Sequence, residues 1–213
     1  MMDTYKVIFF GDSFTACRGL PQPDTWPSLV SDTVSKYFKN IAELEFRTST
    51  AIQENTRGAL ERVQKDILFA EPDVVTIQYG TNDSTHWISY RGAPIVSQEA
   101  FRANLTELVD KCRRFGIQRV VLITNHPVAL DRYDINGLTP DENTQIYDKI
   151  VREVAANCAC HLADVRTAME ELSPGELCLS DEIHVTKFGA KVYAETIAPV
   201  MVGVLNGLIS LAD

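Results

Sequence analysis

Apolar residues fall into two alternating patterns along this chain. Nearly continuous runs rich in β-branched and aromatic side chains occur at Tyr5–Phe10, Asp73–Tyr79 and Arg119–Thr124, with weaker ones at Leu44–Thr48 and His161–Asp164. Such runs suit strands covered on both faces of a parallel sheet. Between them, apolar positions recur at helical spacing. Thr25–Phe38 sets Leu29, Val30, Val34, Tyr37 and Phe38 on one side, and Thr56–Phe69 does the same with Leu60, Val63, Ile67 and Leu68. Gln98–Phe115, Glu142–Cys158 and Lys187–Leu211 complete the helical series.

Strands alternating with helices predict βαβ units with right-handed crossovers. The expected fold is therefore α/β, a flavodoxin-like three-layer α/β/α sandwich with a five-stranded parallel sheet. No repeat, low-complexity tract or Gly/Ser linker divides residues 1–213, so a single domain is expected. A site in such a fold lies outside the carboxyl ends of the strands. Two long connections, Ser84–Ser97 with Trp87 and Tyr90 and His126–Asp141 with Tyr133, follow strands at that end. Their aromatic content marks them as substrate-facing.

Composition narrows the function classes. Hydrophobic residues are 45% of the 213, enough for a substantial core, and the net charge of −9 argues against nucleic acid as a partner. Arg113, Arg114 and Arg119 form the one basic knot and read as a solvated helix end. The apolar stretch Val7–Phe10 is much too short for a signal segment or a membrane span, and Val200–Leu211 is short and broken by Asn206 and glycines. A cytoplasmic chain with no membrane insertion is the expectation. Five cysteines, 17, 112, 158, 160 and 178, show no metal-ligand spacing and read as reduced, mostly buried thiols. Cys17 stands apart, because one helical turn from Ser13 would bring it to the same pocket. No glycine-rich phosphate string supports a nucleotide, and neither a metal nor a cofactor is expected.

Three short strings carry the chemistry. Gly11-Asp12-Ser13 puts a hydroxyl at a strand-to-helix junction, where neighbouring backbone N–H groups can stabilise developing negative charge. Gly80-Thr81-Asn82-Asp83 follows the third strand, and the Asn82 amide can donate to an oxyanion without changing protonation state. Asp83 reads as structural, accepting loop N–H bonds. Asp181 and His184 stand three apart before the last helix, so the carboxylate can fix the imidazole tautomer and leave Nε2 toward Ser13. His184 is then general base and general acid. Each string alone is an ordinary turn or cap. Together they are the parts of serine acyl transfer.

In order and spacing these strings resemble blocks I, III and V of the SGNH (GDSL-type) hydrolases. The resemblance implies an esterase, lipase or thioesterase that needs no metal, with Ser13 as nucleophile and Asp181 and His184 completing the triad. It also implies that the Ser13 backbone N–H and Asn82 form the oxyanion hole. The family's block II glycine, which supplies the remaining oxyanion N–H, is missing: residues 50–57 read Thr-Ala-Ile-Gln-Glu-Asn-Thr-Arg. Alignment puts Gln53 at that position. Its backbone N–H survives the substitution, but a positive φ is costly for it. Asp12, Trp87 and His126 are the residues expected on the substrate side, with His126 a structural or wall residue.

The expected activity is cleavage of carboxylic esters through an acyl-Ser13 intermediate. Short acyl or O-acetyl esters lead, with thioesters and lysophospholipids also open. The alternatives are a weak or inactive small-molecule-binding module on the same fold, or an acyltransferase. The expected partner is a small-molecule ester. The apolar circumference of the last helix fits either deep packing or a homo-oligomer contact.

Overall fold

The computed structural model describes residues 3–117 and 119–210. Five strands form one parallel sheet: β1 (Thr4–Gly11), β2 (Glu43–Thr50), β3 (Val74–Gln78), β4 (Arg119–Ile123) and β5 (His161–Ala163). Their spatial order is β2-β1-β3-β4-β5, the flavodoxin-like arrangement. The chain order reverses between β1 and β3, which lie side by side with Gly11 opposite Gln78. At this switch point the segments leaving β1 and β3 start side by side.

The helices are α1 (Trp26–Phe38), α2 (Thr56–Asp66), α3 (Thr81–Ser84), α4 (Gln98–Arg114), α5 (Pro140–Asn157), α6 (Val165–Met169), α7 (Pro174–Leu177) and α8 (Lys187–Ile209). Most of the long ones begin at the side-chain caps their sequences supply. Thr25, Asn55, Ser97 and Thr186 each accept a backbone N–H of the first turn. Thr139 and Glu142 form a reciprocal capping box that starts α5 two residues before the predicted Glu142. Helix α2 stops at Asp66 and tightens into a 3-10 turn at Leu68–Ala70, short of the predicted Phe69. The predicted end of the last helix, Leu211, lies outside the described residues.

Strand alternation divides the core. Val7 and Phe9 face α1 and α8, joining Trp26, Val30, Tyr193 and Ile197. Ile8 and Phe10 face the other layer, with Val63, Leu105 and Val151 from α2, α4 and α5. Helix α8 is 23 residues long and by length and composition apolar enough to cross a membrane, beyond the Val200–Leu211 stretch considered from sequence. Here Tyr193, Ile197, Met201, Val204 and Leu205 bury its inner face in the core.

Gly11 ends β1 because nothing larger fits. A Cβ there would stand 2.1 Å from Thr15 Oγ1 and 2.9 Å from the Gln78 carbonyl. That close approach lets the chain turn sharply into Asp12 and Ser13 between two neighbouring strands.

Candidate active site

The turn after β1 carries Ser13, and the turn before α8 carries His184, 171 residues later. The fold brings Ser13 Oγ to 3.0 Å from His184 Nε2. His184 Nδ1 stands 2.6 Å from Asp181 Oδ2. Because the carboxylate only accepts, Nδ1 carries the proton and Nε2 is left to accept from Ser13. The spacing of Asp181 and His184 works through one carboxyl group: Asp181 Oδ1 accepts the backbone N–H groups of Ile183 and His184 at 3.0 and 2.9 Å. Burial works against the Asp181 charge, but donation from the His184 ring and those two N–H groups outweighs it and holds the carboxyl below its ordinary range.

Gln53 lies in the turn between β2 and α2 with φ +57°, so the left-handed conformation a glycine would favour is adopted by glutamine. Among the described residues, the backbone N–H groups of Ser13 and Gln53 have no hydrogen-bond acceptor. Asn82, in the single turn α3, sits beside both segments but does not offer a free amide. Its Nδ2 donates to Asp12 Oδ2 at 2.8 Å and to the Glu54 carbonyl at 3.0 Å. The expected open donor is therefore engaged within the protein, because the fold places a carboxyl oxygen and a carbonyl within its reach.

Asp12 and His126 do not line the substrate side as expected. Asp12 is wholly buried, accepts the Phe14 N–H at 2.9 Å as well as the Asn82 amide, and is pushed by burial up to about 8. His126 is also wholly buried. Burial lowers it to about 4, so it is neutral at physiological pH. Its ring ties the turn that carries His184: Nε2 donates to the Ile183 carbonyl at 2.8 Å, and Nδ1 accepts from Tyr193 Oη at 2.9 Å. Trp87 is half-exposed in the loop after α3, its ring 6.0 Å from that of Tyr90. Cys17 points away from Ser13. The chain turns here instead of forming a helix, and Cys17 joins the core against Trp26, where burial raises the thiol to about 12.

Asp83 is structural as expected, taking the backbone N–H and the hydroxyl of Thr56 at the start of α2. Arg57 donates to the Ile95 carbonyl and ties the loop before α4. Among the described residues no group of three or more His, Cys, Asp or Glu side chains is placed to hold a metal ion.

Several residues around the site carry no local signal in the sequence. Thr15 Oγ1 donates to Gln78 Oε1 at 2.8 Å, and Gln78 Nε2 donates to Tyr193 Oη at 2.8 Å. Tyr193 in turn holds His126, so one buried chain of hydrogen bonds runs from the Ser13 segment through β3 and α8 to the His184 turn. Phe14 stacks on the His184 ring with centroids 5.3 Å apart. A cavity of about 80 Å³ beside the site is lined by Thr81, Thr85, Val128, Leu130 and Ile183, among others.

The profile of the GDSL-like lipase/acylhydrolase family matches residues 9–192. A GDSL esterase/lipase of Arabidopsis thaliana is 26% identical over 211 residues, covering 91% of this chain and 84% of that one. Among solved structures, the enzyme LAE5 from the metagenome of Lake Arreo, Spain, superposes with a TM-score of 0.78 at 22% identity, over 96% of this chain and 98% of that chain. The acetylxylan esterase Axe2 of Geobacillus stearothermophilus does so with a TM-score of 0.76 at 19% identity, over 92% and 93%. Both structures share the fold.

Proposed function

The chain belongs to the GDSL-like lipase/acylhydrolase family and is an ester-hydrolysing enzyme, and from that premise we propose that it cleaves short-chain acyl esters through an acyl-Ser13 intermediate. The observation that carries the reading is the continuous contact from Ser13 Oγ through His184 to Asp181, at 3.0 and 2.6 Å. Those separations are within the reach a general base needs for the proton it removes.

Ser13 Oγ attacks the ester carbonyl as His184 Nε2 takes its proton, and the Asp181 carboxylate stabilises the imidazolium that forms. The carbonyl oxygen, now an oxyanion, receives the N–H groups of Ser13 and Gln53. Asn82 contributes when the N–H it now gives to Asp12 turns toward that oxygen. His184 returns the proton to the departing alkoxide, leaving acyl-Ser13 and free alcohol. Water then repeats the attack with His184 as base, releasing the carboxylic acid and restoring the serine.

The short-acyl reading takes support from the neighbouring cavity of about 80 Å³, which borders Thr81 beside Asn82 and Ile183 beside His184 and is small against the roughly 300–1,000 Å³ of sites that bury drug-sized ligands. The exposed rings of Trp87 and Tyr90 offer a surface to the leaving group. A series of p-nitrophenyl esters from acetate to decanoate tests the reading. Turnover should be greatest for the shortest acyl chains and vanish in Ser13→Ala and His184→Ala, and a fluorophosphonate should add once, at Ser13. An unlabelled wild-type protein without turnover would refute the acyl-serine mechanism, and a decanoate preference would refute the short-acyl assignment.

A further inference from the structure

We infer that Arg62, acting through Glu54 and Tyr79, is the positioning device that lets Gln53 stand where a glycine is expected. The inference rests on the reading of the Ser13 and Gln53 N–H groups as oxyanion donors. An L-residue in the left-handed region meets a steric penalty and persists there only where its surroundings over-determine it. The Gln53 side chain cannot do this, being exposed. The residue after it can.

The Glu54 carboxylate accepts Arg62 Nε, 2.7 Å from both of its oxygens, and the Tyr79 hydroxyl at 2.6 Å. Its backbone carbonyl receives the Asn82 amide. Glu54 is thus anchored at its carboxylate and its carbonyl, and with the Ala51 N–H donating to the Gly11 carbonyl at 3.3 Å the chain is held on both sides of Gln53. The same guanidinium reaches the other half of the site. Arg62 Nη2 donates to the Gly11 carbonyl at 2.8 Å, two residues before Ser13. Its Nη1 binds Ser49 Oγ at 2.8 Å and Asp66 Oδ2 at 2.9 Å, and its carbon lies 4.2 Å from the Phe10 ring centroid. One rigid, largely buried fork therefore spans the segment bearing the nucleophile and the segment bearing the second N–H, and fixes their separation. Side-chain exposures of 17% for Arg62 and 9% for Glu54 keep water from replacing these bonds.

Arg62 touches no reacting atom, so its removal should act on transition-state stabilisation and leave ground-state binding little changed. Small misplacement of an oriented group can cost about 100-fold in rate. Arg62→Met should therefore lose roughly 10- to 100-fold in kcat on p-nitrophenyl acetate with KM nearly constant, per active site counted by fluorophosphonate titration. Inhibition by a trifluoromethyl ketone, which forms a tetrahedral oxyanion on serine, should weaken in parallel.

The discriminating measurement is a double-mutant cycle with Gln53→Gly. Glycine adopts the required φ unaided, so the Arg62→Met loss should shrink about five-fold or more in that background. Should Arg62→Met not fold, Tyr79→Phe, which removes one hydroxyl from the clamp, replaces it in the same cycle with an expected loss of roughly 3- to 10-fold. Equal losses in the wild-type and Gln53→Gly backgrounds, with Ser13 still labelled, would overturn the clamp and leave the acyl-serine reading intact. Absence of labelling and turnover in the wild type would overturn both.

Discussion

Tyr193→Phe removes one oxygen from the interior and should disturb more than its size suggests. Tyr193 is fully buried, and its hydroxyl accepts Gln78 Nε2 at 2.8 Å and the His126 backbone N–H at 3.1 Å while donating to His126 Nδ1 at 2.9 Å. Deleting it strands two donors and one acceptor. None has an alternative: turning the Gln78 amide would sacrifice the bond from Thr15, and moving the His126 proton to Nδ1 would set Nε2 against the Ile183 carbonyl. The space of one hydroxyl is too small to admit a bridging water. With roughly 1–3 kcal/mol for each orphaned buried group, the loss should be at least about 3 kcal/mol. For a chain of 213 residues that corresponds to a fall in melting temperature of roughly 6–12 °C. Urea denaturation of wild type and Tyr193→Phe measures it directly, and the folded variant should also turn over ester more slowly, because His126 no longer holds the Ile183–His184 turn in one place. A loss under about 1 kcal/mol would mean that the buried chain of hydrogen bonds does not exist as described.

Two other consequences concern carboxyl groups. Asp181→Asn should lower kcat by about 10³–10⁴-fold, because an amide at that position can present an N–H to Nδ1 and favour the tautomer that cannot accept from Ser13; a loss below about 10-fold would remove Asp181 from the mechanism. Asp12 holds its proton in the folded state up to about pH 8, whereas an unfolded aspartate releases it near ~3.9, so its contribution to stability is full below that lower value and falls as pH rises toward 8. The wild type should therefore weaken relative to Asp12→Asn between about pH 5 and 8 and run parallel to it above about pH 9. A constant difference across that range would show that burial does not raise this carboxyl.

The sequence alone determined the alternation of strands and helices, the parallel sheet and the contact between Asp181 and His184. Those features are local: hydrophobic period selects the element, and Asp181 reaches His184 across a single turn. The block II position was legible too, since the loss of a glycine foretold a strained Gln53. What tertiary structure alone decided is who stands next to whom across long stretches of chain. Asn82 looked free in sequence and is engaged by Asp12, 70 residues away, while His126 read as either structural or a pocket wall and is buried behind the His184 turn by Tyr193, 67 residues away. Arg62 reads as a polar helix position, yet it joins Gly11 to Glu54. Periodicity records which side of an element faces inward, but not which partner it meets there. That partner is set by the order in which β1, β3 and α8 come together, and buried polar groups then take whatever donors and acceptors the packing brings within about 3 Å.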